Sequence, residues 1–230
     1  MDDAARPSRQ AISDTVGDLG WRLVLGVVTT EARVPSLADA AEVASIAVGA
    51  LGREGEGHLS VDVRADRAVL TLVSRAAGRV TGLDLRLAHE VTAALGARGL
   101  RTSPGLSPGP GSLQLVEVAV DALDIPTVRP FWQALLGYVD EPGAPSPVGA
   151  LVDPLGRGPA VWFQQMDAPR PQRNRIHLDV SVPHELAAAR LEAAVAAGGR
   201  LVSEKEAPAF WVLADPEGNE ACITTWQGRD

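Results

Sequence analysis

The stretch Leu113–Tyr138, LQLVEVAVDALDIPTVRPFWQALLGY, decides the fold. An alternating apolar run comes first, then a turn, then apolar residues at helical spacing ending at Leu136-Gly137. The same grammar returns from Asn174 in NRIHLDVSVPHELAAARLEAAVAAGG, a strand, a Pro-marked turn and a helix closed by glycine. Each copy leads to an Asp-Pro turn, Asp153-Pro-Leu-Gly and Asp215-Pro-Glu-Gly, and then to a short apolar strand, Pro159–Gln164 and Asn219–Thr225. A strand–helix–strand–strand–strand unit used twice is an internal repeat. Repeat one spans 113–165 and repeat two 174–227, joined by the polar, Pro-containing Met166–Arg173. Two copies that close over a shared pocket make this half a small-molecule binding site.

Working outward, the 230 residues suffice for two modest domains, on a scale of roughly 100–200 residues each. The net charge of −8 argues against nucleic acid and anionic membranes as partners, because both require clustered Lys and Arg. No apolar run approaches the roughly 18 residues of a membrane span. MDDAARPSRQ lacks the charged-then-apolar order of a signal peptide, so a cytoplasmic protein is expected. Cys222 is the single cysteine, which excludes an internal disulfide. Trp21 stands alone early in the chain, whereas the other tryptophans, Tyr138 and all three Phe follow residue 130. The Gly/Pro/Ser run Ser103–Ser112 separates the two regions, giving a domain over 1–102, a linker over 103–112 and a second domain over 113–230.

The first domain opens with Ile12, Val16 and Leu19 at helical spacing. Trp21–Thr29 reads as one strand. Ser36 caps a helix with Leu37, Ala40, Ala41, Ala44, Ala47 and Val48 along one stripe. After the glycine-rich 52–57, His58–Arg64 and Arg67–Ser74 alternate as a hairpin, and Thr81 caps a last helix with Leu83, Leu87, Val91, Ala94 and Leu95 inward. The fold class is α+β, an α-β-α-β-β-α domain followed by the paired βαβββ module.

Several pieces of the first domain resemble the pterin-4a-carbinolamine dehydratases over about residues 10–102. They are the tryptophan opening the first strand, Ala40-Ala41-Glu42, His58, and Val80–Ala88, which is similar to that family's Gly-Leu-Thr-x-x-Asp-x-x-Leu-Ala segment. The resemblance implies loss of water from a 4a-hydroxytetrahydropterin, with His58 as acid/base and Arg75 and Asp84 as supports. Proton transfer near neutral pH suits histidine. The family's His-His-Pro motif and a Thr-His pair are here Gly57-His58-Leu59 and Ser74-Arg75, so one of three histidines carries over. Arg75 cannot shuttle a proton at pH 7. A solvent-facing His58 after a glycine loop is the plain alternative, and His89 reads as a surface or packing residue.

The second domain resembles the glyoxalase/bleomycin-resistance/dihydroxybiphenyl dioxygenase superfamily, the vicinal oxygen chelate proteins, and most of all its glyoxalase-like branch. Phe131-Trp132, Leu136-Gly137, Asn174–Asp179 and Asp215-Pro-Glu-Gly-Asn219 carry the likeness. It implies divalent-metal ligands on the first and last strands of each repeat. The corresponding positions hold His177, Val116, Cys222 and the Val161-Trp162-Phe163 region, with Glu220 two residues before Cys222 on the same face. The expectation is no cofactor and a metal-free pocket lined by Trp132, Trp162, Phe163, Gln164, His177, Phe210, Trp211 and Glu220. His177, Glu220 and Cys222 remain the residues a metal would use. The aromatics also read as core, and Cys222 as a small core residue.

Three functions stay open: a pterin dehydratase-type lyase, a non-catalytic protein that binds or senses a heteroaromatic small molecule, and a metal-dependent glyoxalase- or dioxygenase-type enzyme. A homo-oligomer is expected from exposed hairpin edges.

Overall fold

The computed structural model describes residues 6–105, 114–143, 146–169 and 176–228. The chain divides into two compact units, with the division between Leu115 and Val116.

In the first unit, α1 (Arg9–Gly17) starts at Ser8, whose hydroxyl accepts the Ala11 N–H, and it buries Ile12 and Val16. The stretch expected as one strand is two, β1 (Arg22–Val24) and β2 (Val27–Arg33), paired as a hairpin. Leu25 and Gly26 form its loop with φ of 45° and 79°. Positive φ at both central residues matches the right-handed twist of the flanking strands. Gly26 inside the apolar run marked the break. Next come α2 (Leu37–Leu51), β3 (Leu59–Arg64), β4 (Arg67–Leu72) and α3 (Gly82–Gly96). The order is therefore α-β-β-α-β-β-α, and the sheet runs β1-β2-β4-β3, antiparallel throughout.

The buried stripe of α2 is Ala40, Val43, Ala47 and Leu51, whereas Leu37 and Val48 are exposed. Alanine on both flanks of the helix had blurred the expected stripe. Trp21 is fully buried in the Val/Leu/Ala core, and its indole N–H donates to Thr92 Oγ1 at 2.9 Å. Ser103, read as the first linker residue, exchanges backbone hydrogen bonds with Glu31 and belongs to this unit. The expected linker residues 106–112 lie outside the described residues.

The second unit is two βαβββ repeats. Repeat one comprises β5 (Glu117–Ala122), α4 (Ile125–Leu136), β6 (Val139–Asp140), β7 (Leu151–Val152) and β8 (Ala160–Gln165). Repeat two comprises β9 (Leu178–Ser181), α5 (His184–Ala196), β10 (Arg200–Ser203), β11 (Phe210–Ala214) and β12 (Glu220–Thr224). The sheets have the same order, β5-β8-β7-β6 and β9-β12-β11-β10, with first and last strands parallel in each. Val120, Phe131, Leu135, Leu151, Val161, Phe163, Leu213 and Ile223 share one core between sheets and helices. Complete burial of a side chain such as Phe131 contributes roughly 1.5–3 kcal/mol.

Three of the motifs that carry the resemblance, at Phe131-Trp132, Leu136-Gly137 and Asp215–Asn219, join the repeats. Asp215 Oδ2 accepts the Trp132 indole N–H at 3.0 Å and the Asn219 side-chain N–H at 2.8 Å. Its Oδ1 accepts the Glu217 and Asn219 backbone N–H groups, both at 2.9 Å. The Glu217 carboxylate accepts the N–H groups of Leu123 and Asp124 at the start of α4, where a negative charge also favours the helix dipole. At the other end of α4, Gly137 has φ 68°, and Arg190 from α5 donates to the Leu135 carbonyl at 3.0 Å. A Cβ at Gly137 would meet that guanidinium at 2.7 Å.

Candidate functional site

His58 follows the 3-10 turn Gly52–Gly55, whose Gly55 carbonyl accepts the His58 N–H. Gly57, with φ 77°, turns the chain into β3. The ring reaches the start of α3, where His58 Nδ1 lies 2.7 Å from Asp84 Oδ1. The other oxygen of Asp84 accepts the Thr81 N–H and hydroxyl, both at 2.7 Å. Asp84 is fully buried, while His58 keeps 16% of its side chain exposed. A carboxylate held by Thr81 fixes the imidazole with Nδ1–H donating toward Asp84, which leaves Nε2 for a ligand. His58 and Asp84, each named through the family resemblance, are in contact. Arg75 is placed beside them through the backbone, since its N–H donates to Gly57 O and the Val73 N–H to His58 O. Its guanidinium is exposed and donates to Ser60 Oγ at 3.0 Å. Ser60 was not singled out in the sequence; its place two residues after His58 was the available signal. His89 is exposed.

Strand alternation divides the residues expected in the second unit's pocket. On β8, Val161 and Phe163 turn into the core, while Trp162 (37% exposed) and Gln164 occupy the opposite face. In register across β5, Trp162 lies against Ala119 and Gln164 against Asp121. On β12, Ala221 and Ile223 are core, so Glu220 and Cys222 share the other face, as expected. Cys222 pairs with Asp179 and with Val212, and Phe210 pairs with Thr224, which puts Phe210 on that face too. His177 lies just before β9 and is exposed.

Three expected pocket residues lie elsewhere. Trp132 is 2% exposed, packed edge-to-face on Phe131 with its N–H on Asp215, and is a core residue. Phe163 is core because it neighbours Trp162 on a strand and must face the opposite way. Trp211, next to Phe210, packs against the core and lines a groove of about 410 Å³ with Leu191, Val195 and Leu201. A second groove of about 410 Å³, between α2 and α3, is lined by Glu42, Ile46 and Arg98. Neither groove is lined by His58 or Trp162.

The donor set does not fit the divalent metal that the superfamily pattern implies. Ala119 and Trp162 face each other on the first and last strands of repeat one, and neither donates to a metal. In repeat two Cys222 pairs with Asp179, not with the expected His177, which lies before β9. Among the described residues no group of three His, Cys, Asp or Glu side chains could hold an ion.

Residues 117–224 match the family described as the glyoxalase-like domain, so the second unit carries a glyoxalase-like domain. Among solved structures, the chain is similar to a glyoxalase/bleomycin resistance protein/dioxygenase family enzyme from Burkholderia phytofirmans PsJN. The TM-score is 0.39 at 22% identity, covering 47% of this chain and 95% of that one. It is also similar to a transcriptional coactivator/pterin dehydratase from Brucella melitensis, with TM-score 0.35 at 19% identity over 39% of this chain and 98% of that one. A third is a mutant of the fosfomycin resistance protein FosX from Listeria monocytogenes in complex with Mn(II), with TM-score 0.39 at 13% identity over 52% of this chain and 90% of that one. No curated protein matches the chain. No helix among the described residues is long and apolar enough to cross a membrane.

Proposed function

We propose that the chain is a lyase of the pterin-4a-carbinolamine dehydratase type, working with a single histidine and carrying its glyoxalase-like domain as a metal-free small-molecule pocket. The observation that carries the reading is the 2.7 Å contact between His58 Nδ1 and the buried Asp84 carboxylate. In the reaction, the C4a–O bond of a 4a-hydroxytetrahydropterin breaks, and the electron pair leaves with oxygen. Protonated His58 supplies Nε2–H to that oxygen, so water departs. Neutral His58 then takes the ring N–H proton and returns to its starting state. One histidine therefore closes the proton balance, provided the ring can face both atoms in turn. Asp84 holds the ring's orientation and stabilises the imidazolium. Arg75 moves no proton. In the glyoxalase-like domain, Trp162 with Gln164, and Phe210 with Glu220, offer flat apolar surface and hydrogen-bonding groups to a planar ligand.

The test is a dehydration assay with a 4a-hydroxytetrahydropterin on the intact protein, on His58→Ala and on Asp84→Asn. Turnover that falls in both variants supports the enzyme. No turnover above the uncatalysed rate overturns it in favour of a second reading, a binding or sensing protein with a retired site. That second reading is favoured by Gly57 and Arg75 in the places of two family histidines.

A further inference from the structure

The chain as a whole is acidic, with a net charge of −8. In the first unit Arg33, Arg64, Arg67, Arg86 and Arg98 each face a carboxylate. Among the described residues, Arg22 donates only to the Gly17 and Trp21 carbonyls, and the arginines nearest His58 likewise have no carboxylate partner. Arg75 donates to the Ser60 hydroxyl and Arg79 to the Ala77 carbonyl, so their partners are uncharged. Arg53 sits in the 3-10 turn that leads into His58, and Arg79 is joined to Ser74 by a backbone bridge. Among the described residues, none of these three guanidinium groups forms an ion pair. Glu54 of the same turn is engaged by Arg86. Glu56 is exposed two residues before His58 and is the local opposing charge.

We infer that the ligand of the His58 site carries an anionic group, a phosphate or a carboxylate, held by Arg75 with Arg53 and Arg79 around it. The inference rests on reading His58 as the functional centre and adds the substrate class. With one N–H arm on Ser60, the Arg75 guanidinium is oriented and keeps further donors in its planar fork. Such a fork grips two oxygens of a carboxylate or phosphate at once, which a lysine does not reproduce. Its backbone N–H donates to Gly57 O, which ties residue 75 to the turn that carries His58.

The test follows the His58 ring by NMR while inorganic phosphate, and separately succinate, replaces chloride at constant ionic strength. A saturable shift at His58, not at exposed His89, is expected. Arg75→Ala should weaken it by about tenfold or more, with Arg75→Lys recovering only part. A saturable response to phosphate alone assigns a phosphoryl group, and a response to succinate alone a carboxylate. No saturable shift with either, or an unchanged response in Arg75→Ala, overturns the inference. Arg75 is exposed, so the variant keeps its fold. Failure of the dehydration assay with the phosphate shift intact removes the reaction and keeps the anion site. Turnover without any anion response does the reverse.

Discussion

Asp215→Asn tests how the two repeats are joined. Each carboxylate oxygen of Asp215 accepts two hydrogen bonds, Oδ1 from the backbone of Glu217 and Asn219, Oδ2 from Trp132 and the Asn219 side chain. Asparagine has the same shape but only one oxygen. Whichever way its amide turns, an NH2 group faces two donors, and the charge is gone. Hydrogen bonds to a charged group contribute roughly 1.5–3 kcal/mol each, so losing two at a fully buried site costs about 3–6 kcal/mol. Asp153→Asn is the internal control. Its carboxylate also accepts three backbone N–H groups, from Leu155, Arg157 and Gly158, but it is only half-buried. Water can replace those bonds, and the cost falls to about 1 kcal/mol. The assay is urea dependence of hydrogen exchange in peptides from α4, β11 and β12 of the full chain, which isolates this unit from the first one. A loss below about 1 kcal/mol for Asp215→Asn, or equal losses for the two variants, would refute the reasoning.

Gly199→Ala should destabilise the second unit by about 1–3 kcal/mol, because a Cβ there collides with the buried Phe131 ring; thermal unfolding checks it, and an unchanged midpoint counts against it. Asp84→Asn should lower any dehydratase rate by roughly 10²–10⁴-fold, with His58→Ala at least as severe; a rate that survives either substitution assigns the chemistry elsewhere. Burial pushes the Asp153 carboxyl up, but its backbone N–H donors and nearby Arg157 outweigh this and hold it below its ordinary value of 3.8. Its contribution is therefore full above that value and lost as pH falls through the lower folded value. Urea midpoints in the acid range should decline less steeply in Asp153→Asn, and parallel profiles would contradict this. Trp162→Ala should weaken binding of flat aromatic ligands without changing stability, and metal analysis after mild isolation should give far less than one divalent ion per chain; stoichiometric metal would show that other donors complete a site. Light scattering at micromolar concentration should give at least twice the 24.0 kDa chain mass, and a monomer removes the expected self-association.

The repeat was legible because its punctuation is chemical. Asp-Pro turns, a Gly-closed helix and alternating strands recur in both copies, and the two sheets have the same order. The Leu25-Gly26 hairpin was missed because its apolar flanks read continuously, and only the glycine marked the turn. Pocket membership failed for a stricter reason. Aromatic enrichment says nothing about facing, and adjacent residues such as Trp162 and Phe163, or Phe210 and Trp211, cannot share a face of a strand. Trp132 was indistinguishable from a ligand contact until its indole was seen on Asp215, 83 residues away. The resemblance of Val80–Ala88 named Asp84 as a support, but its contact with His58 needed the fold. Which arginines meet a carboxylate depends on three-dimensional pairing, which sequence does not display.

The hold of Asp215 and Glu217 on α4 also sets an order of events during synthesis. The first repeat emerges with the Trp132 indole and the amides of Leu123 and Asp124 waiting for acceptors that are made more than 80 residues later. The reverse debt is smaller, because Asp153 secures only its own turn. The duplication has therefore become directional: the later copy completes the earlier one. A ribosome stalled before residue 215 carries a first repeat whose Leu123 and Asp124 amides lack their Glu217 partner, and exchanging the order of the two repeats would make the acceptors before the donors.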